Sequence, residues 1–240
     1  MKFNSIMFLT IVLLAILSLG AVSAHDDVAD DISAADSNDE IQLNSINDSK
    51  LSDNASASTQ KTIYVGEEGD DSGAGSQNSP YASINKALSD VNASDDAVIY
   101  LGEGTFNGDN NTNLEINLAH KNYNGSLTII GKGDGKTIID ANDEAPIIKS
   151  VSADSIVTLI NITFTHGKND MGSAIRSSGE LTIDNCVFEE NYVTNLGAIY
   201  SENGNLSIQN SKFYRNSGNQ YVDLYISRSE ERFSRNAETD

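Results

Sequence analysis

Residues 181–216, LTIDNCVFEENYVTNLGAIYSENGNLSIQNSKFYRN, state one pattern twice. Leu181 and Leu206, Ile183 and Ile208, Asn185 and Asn210, Phe188 and Phe213, and Asn191 and Asn216 are each 25 positions apart. The pattern extends backwards at an offset of 24. Val157, Leu159, Asn161, Phe164, Ala174 and Ile175 precede Leu181, Ile183, Asn185, Phe188, Ala198 and Ile199. Three units result, at about 155–179, 180–204 and 205–229, and Val222-Asp223-Leu224 stands for Gly197-Ala198-Ile199 in the third. A fixed period of this length marks a solenoid, in which one small unit buries its apolar side only by stacking on the next.

The residues inside the period choose the kind of solenoid. Helical repeats need apolar residues at 3.6-residue spacing, and leucine-rich repeats need a longer Leu/Asn signature. Here each unit has one alternating strand (L-x-I), an Asn-containing turn, a Phe before a polar bend, and a second short strand of the GAIYS kind. That predicts an all-β fold, with each unit one coil of a parallel β-helix. Equivalent residues would stack about 4.8 Å apart, Leu on Leu and Phe on Phe. Asn161, Asn185 and Asn210 are expected to form an inward amide ladder, each side chain donating to one neighbour and accepting from the other. Gly172 and Gly197 are expected where one face bends into the next.

Upstream, TIYV (62–65), AVIYL (97–101), LEINL (114–118), LTIIG (127–131), TIID (137–140), PIIK (146–149) and IVTLINITF (156–164) read as short strands punctuated by Gly, Asn and Asp. One helix is predicted near 80–90. Pro80 opens it, Ser79 is its expected N-cap, and Tyr81, Ile84 and Leu88 share one face.

The first 24 residues have Lys2, an apolar run from Ile6 to Leu19 and the small residues Ala21-Val22-Ser23-Ala24, the form of a secretory signal peptide. Residues 25–60 hold nine acids against one lysine and no aromatic side chain, so they are expected to be a disordered acidic linker. The β-helix domain is expected over 61–227. The charged tail 228–240 reads as irregular, of the kind a truncated copy of a longer chain would carry.

The formal charge of −20 opposes binding to nucleic acid, which needs clustered Lys and Arg. No second apolar run is long enough to span a membrane, so no span is expected after signal removal. The single cysteine, Cys186, is no disulfide framework and reads as a small buried hydrophobe. Seven Asn-x-Ser/Thr sequons, at Asn47, Asn54, Asn92, Asn110, Asn124, Asn161 and Asn205, permit glycosylation of an exported chain.

At these residues the sequence resembles the adhesin-like proteins of methanogenic archaea, which carry right-handed parallel β-helix repeats. The coils are also similar to the polymorphic outer-membrane-protein repeats of chlamydial adhesins, with hallmarks GGA[I/L/V] and FxxN. Phe188-Glu189-Glu190-Asn191 and Phe213-Tyr214-Arg215-Asn216 match FxxN. Gly197-Ala198-Ile199 follows Leu196 where the first Gly would stand, Ser173 replaces the second Gly in Gly172-Ser173-Ala174-Ile175, and Phe164-Thr165-His166-Gly167 lacks the Asn. Val98-Ile99-Tyr100-Leu101 with Gly104-Thr105-Phe106 resembles the N-terminal coils of pectin-lyase-like β-helix proteins. The resemblance covers about 62–216. It implies a right-handed pectin-lyase-like solenoid with a short N-terminal capping helix.

Two function classes follow. The first is a non-catalytic, secreted or cell-surface adhesin-like protein that meets surface carbohydrate or protein and uses no cofactor or metal. The second is a polysaccharide lyase or glycoside hydrolase on the same fold. Lyase chemistry needs a base and a cation against a uronate carboxylate, and hydrolysis needs two carboxyl groups at ~5–10 Å. The candidates are Arg176 with Glu180 and Asp184, the Asp140/Asp143/Glu144 cluster, and His166. Asp140 and Asp143 also suit turns, Arg176 suits an outward strand position, and His166 suits a solvated bend. No catalytic constellation is expected among them.

Overall fold

The computed structural model describes residues 60–92, 96–118, 125–133, 135–227 and the backbone of 236–239. All of them belong to one compact unit, Asn54–Asp240. The expected signal peptide, almost all of the linker and most of the tail lie outside the described residues; the described part of the tail, Asn236–Thr239, is not irregular as expected but a strand that pairs in parallel with Leu206–Tyr214.

The chain winds as a right-handed, single-stranded parallel β-helix with three faces. The first face runs from Lys61–Val65 through Ala97–Leu101, Leu127–Ile130, Ile156–Ile160 and Glu180–Asp184 to the start of Leu206–Tyr214. The second holds Gly104–Asn107, Thr137–Asp140, Thr163–Thr165, Val187–Glu189 and the end of Leu206–Tyr214, which turns the corner without a break. The third holds Leu114–Ile116, Ile148–Val151, Ile175–Ser177, Ile199–Glu202 and Leu224–Ser227. A narrower strip of Lys168–Met171, Tyr192–Leu196 and Ser217–Gly218 lies between the second and third. Every pairing between these strands is parallel.

The register is that of the repeat. Val157 pairs with Leu181 and Leu181 with Leu206, while Phe164 pairs with Phe188 and Phe188 with Phe213. Alternation then sends every second side chain inward. The inner column of the first face is Ile63, Ile99, Ile129, Leu159, Ile183 and Ile208, all buried. On the second face, the rings of Phe164, Phe188 and Phe213 stack with centroids 5.0 Å apart at each step. The third repeat does not end the solenoid: Leu224 pairs with Ile199 despite its altered sequence. Leu206, however, is only partly buried, whereas Leu181 above it is fully so.

The helix is shorter than the sequence suggested. It spans Ile84–Ser89, and its N-cap is Ser83, whose hydroxyl accepts from the Lys86 amide. Ser79 is too early because Tyr81 is held extended: its amide donates to Tyr64 and it bridges Val65. The Asp71 carboxylate receives the amides of Ala82 and Ser83 at 2.9 Å and fixes this entry. Ile84 and Ala87 are fully buried, so the helix closes the apolar core at the first coil.

The asparagines require a correction. Asn161, Asn185 and Asn210 do not point inward. They adopt φ of 61°, 51° and 52°, the left-handed geometry that Asn tolerates better than most residues, and turn the chain sharply between the first and second faces. Their side chains lie outside, where Asn185 donates to Asn161 at 2.6 Å and Asn210 to Asp184 at 2.8 Å. That turn also breaks the predicted strand 156–164 into Ile156–Ile160 and Thr163–Thr165.

The inward ladder is built by the asparagines of FxxN. Asn191 is fully buried. Its oxygen accepts from the Gly167 amide at 2.8 Å, and its amide donates to the Phe164 carbonyl and to Asn216, both at 3.0 Å. Asn216 repeats the arrangement one coil on, donating to Phe188 and Asp223. A buried backbone group left without a partner costs about 1–3 kcal/mol. Asn191→Ala strands the Gly167 amide and the Phe164 carbonyl together and is expected to cost roughly 3 kcal/mol. Asn185→Ala, which frees only exposed groups, should cost about 1 kcal/mol or less, chiefly backbone strain at positive φ. Urea unfolding of the two variants measures the difference.

Candidate functional site

Left-handed residues occur at a second corner too, and there they carry charge. His166, Glu190 and Arg215 occupy successive coils with φ of 51°, 55° and 51°. The shared geometry aims the three side chains along one line parallel to the coil axis. The His166 ring lies between two carboxylates, with Nδ1 3.0 Å from Asp140 and Nε2 3.1 Å from Glu190. The other Glu190 oxygen faces Arg215 at 3.5 Å, and the Arg215 guanidinium lies over the Tyr214 ring. The ladder therefore reads acid, histidine, acid, arginine.

This arrangement governs the charge on His166. Burial is the largest single influence and pushes its pKa down. The hydrogen bond and charge of Asp140, the Glu190 hydrogen bond and the Asp143 charge together outweigh it, so the net shift is upward. The geometry agrees: only the doubly protonated ring can donate to both carboxylates at once.

Asp140 also accepts from the Asn142 amide at 2.8 Å, and Asn142 and Asp143 have positive φ. Asp143 is a turn residue, as the sequence suggested, whereas Asp140 closes the strand Thr137–Asp140; sequence reasoning did not connect Asp140 to His166 or bring in Glu190 and Arg215. The signal was present in the repeat: His166, Glu190 and Arg215 each stand two residues after a stacked Phe, and Asp140 stands one after Ile139, which pairs with Phe164.

The second candidate group does not assemble. Arg176 stands on the third face, where its guanidinium meets Glu202 at 3.5 Å and lies over the Tyr200 ring. Tyr200 in turn stacks on Tyr225 at 5.7 Å. Asp184 is at the opposite end of its strand from Glu180 and accepts from Asn210. Cys186 is buried, and burial is the main influence that lifts its thiol to about 12, so it holds no thiolate at neutral pH. Among the described residues, no three of His, Cys, Asp and Glu converge as a metal site.

Chemically, the charged ladder is spent on itself. A general acid or base needs a ring nitrogen or carboxyl oxygen within reach of substrate. Both nitrogens of His166 and both oxygens of Glu190 face protein partners instead.

Comparison with known proteins places the coil. Residues 67–232 match the family described as "Protein of unknown function (DUF1565)". The chain belongs to the DUF1565 family. No curated protein matches its sequence. Among solved structures, this DUF1565 protein is similar to one titled "Rhamnogalacturonan lyase", at 14% identity and a TM-score of 0.31, covering 75% of this chain and 66% of that one. Such a likeness is too distant to transfer any residue's role.

The ladder has a pH signature. The folded pKa of His166 lies above the ordinary ~6.5, so its contribution to stability is full below that value and is lost as pH rises through the folded one. With the ring about a third exposed, the contribution should stay below ~1 kcal/mol after solvent screening. Wild-type DUF1565 protein should gain more in melting temperature than His166→Gln when moved from about pH 8 to about pH 6. Parallel pH dependence in the two proteins would show that the ring is not held charged.

Proposed function

We propose that this DUF1565 protein is a non-catalytic, adhesin-like β-helix of the cell surface or the extracellular medium, which binds carbohydrate or other surface partners. One observation carries the reading. Asp140, His166, Arg176 and Asp184 each bond to a neighbouring coil, and Glu180 stands at the opposite end of its strand from Asp184. The repeat turns chemistry-bearing residues into struts. Export is supported by the signal-like first 24 residues and agrees with the strongly acidic composition. Among the described residues no helix is long and apolar enough to cross a membrane.

The test is direct. The full chain is incubated with polygalacturonate, alginate and neutral plant and microbial polysaccharides, and new reducing ends and unsaturated uronates are measured. No product above the buffer rate is expected, while immobilised glycans or cell-envelope fractions should retain the protein. Turnover that falls by about a hundredfold or more in His166→Gln, Glu190→Gln or Arg176→Ala, the usual scale for loss of a general acid or base, would overturn the proposal.

A further inference from the structure

The third corner of the coil, between the third and first faces, differs from the other two. It is formed by residues 153–156, 178–180 and 203–205 of three successive coils, and it encloses a trough of about 290 Å³. Its floor is backbone. Gly179 and Gly204 are buried, and a Cβ on Gly204 would sit 2.1 Å from the Gly179 carbonyl oxygen. A Cβ on Gly179 would likewise meet the Ser152 oxygen at 2.4 Å. One wall is Asp154, Ser178 and Asn203. The other is Ile156, Glu180 and Asn205, where Ile156 and Glu180 are paired in register.

The bonding of the walls is what sets this corner apart. At the first corner, exposed asparagines are bonded from coil to coil. At the second, His166, Glu190 and Arg215 are paired in the same way. At the third, the side chains of Asp154, Ser178, Glu180 and Asn203 take part in none of the side-chain hydrogen bonds or ion pairs described above, although the same stacking brings their coils together. Concave shape and unspent hydrogen-bonding capacity coincide there.

The lining selects a class of ligand. The trough has two carboxylates and no Lys or Arg, so uronates, sulfated sugars and phosphates meet only repulsion. One large exposed apolar side chain, Ile156, gives little hold on an apolar peptide. Carboxylates only accept hydrogen bonds, whereas hydroxyls and amides do both. A sugar hydroxyl also does both and matches the carboxylates of Asp154 and Glu180, the Ser178 hydroxyl and the Asn203 amide. An ammonium is drawn to the two carboxylates but only donates, so it offers nothing to the Asn203 N–H groups. Three coils at the spacing of paired strands extend about 10 Å, and the volume is near the lower limit of ~300 Å³ for small-molecule pockets.

We infer that this trough binds a short stretch of neutral glycan lying along the coil axis. The inference rests on the binding reading above and adds the place and the ligand class. It also departs from the polyuronates that a pectin-lyase-like coil would suggest.

Binding of the full chain is measured by calorimetry against neutral gluco-, xylo-, manno- and galacto-oligosaccharides, with polygalacturonate and alginate oligosaccharides and spermidine as contrasts. The wild type is expected to bind at least one neutral series and neither contrast class. Asp154→Ala with Glu180→Ala, and separately Ser178→Tyr to fill the trough, should weaken that binding at least about tenfold, as loss of charge-assisted hydrogen bonds does. Glu190→Gln, at the charged corner, should leave it unchanged. If Ser178→Tyr fails to fold, the paired exposed substitutions decide alone. Neutral binding that survives both variants would overturn the trough and leave the binding reading intact. Binding confined to the uronates or to spermidine would overturn the ligand class. Binding to nothing in the panel, with no retention by cell-envelope fractions, would overturn both readings together.

Discussion

Register holds this molecule together. Each strand pairs in parallel with its equivalent one coil away, so a residue's environment is largely its own counterpart, 24 or 25 positions along in the later coils and 30 or 36 in the first ones. A side chain that suits this environment once suits it in every coil. Phe stacks on Phe, Ile on Ile, and the amide of Asn191 reaches the amide of Asn216. The core is narrow, and its cohesion comes from identity between layers more than from interlocking of unlike shapes. A slip of one residue in the pairing of a strand would turn every side chain of that strand to the wrong face.

Most of the fold was legible because the period is printed in the sequence. The inner columns, the Phe stack and the bends at Gly172 and Gly197 could all be read from spacing and residue type. The orientation of the asparagines could not. A turn Asn and a ladder Asn recur at the same offset, and only the sign of φ separates them. Asn185 stands directly after a strand, where the chain must reverse its twist, so the backbone claims it and the side chain goes outside. Asn191 follows a residue that takes the left-handed position in its place, Glu190, and is thereby released to turn inward. The helix start failed for a similar reason: Pro80 and Ser79 are good local signals, but Tyr81 was already committed to the strand beside it.

The candidate sites were harder to read because their members are a coil apart. His166 and Glu190 are separated by 24 residues, the period itself, and no local motif links them. Once stacked, opposite charges alternate and neutralise one another, which is how a chain of net charge −20 keeps its like charges from meeting along a ridge. The glycine-floored corner lacks this alternation at Asp154, Ser178, Glu180 and Asn203. Residue identity named the same kinds of side chain in both places, and only coil geometry distinguished a strut from an opening.

The third repeat places Asp223 where Ala174 and Ala198 stand in the coils before it, and burial is what raises its carboxyl above the usual range, against the hydrogen bond from Asn216. The consequence is mechanical. Hydrogen bonds between coils run parallel to the axis, so tension along that axis opens them one layer at a time, starting wherever a layer is poorest. The coil that carries Asp223 has a half-buried acid in place of a methyl group and an apolar column that is only partly covered. It is therefore expected to yield first. The earlier coils keep their Phe stack and their asparagine ladder while it does, and the molecule gives length under load without losing its body.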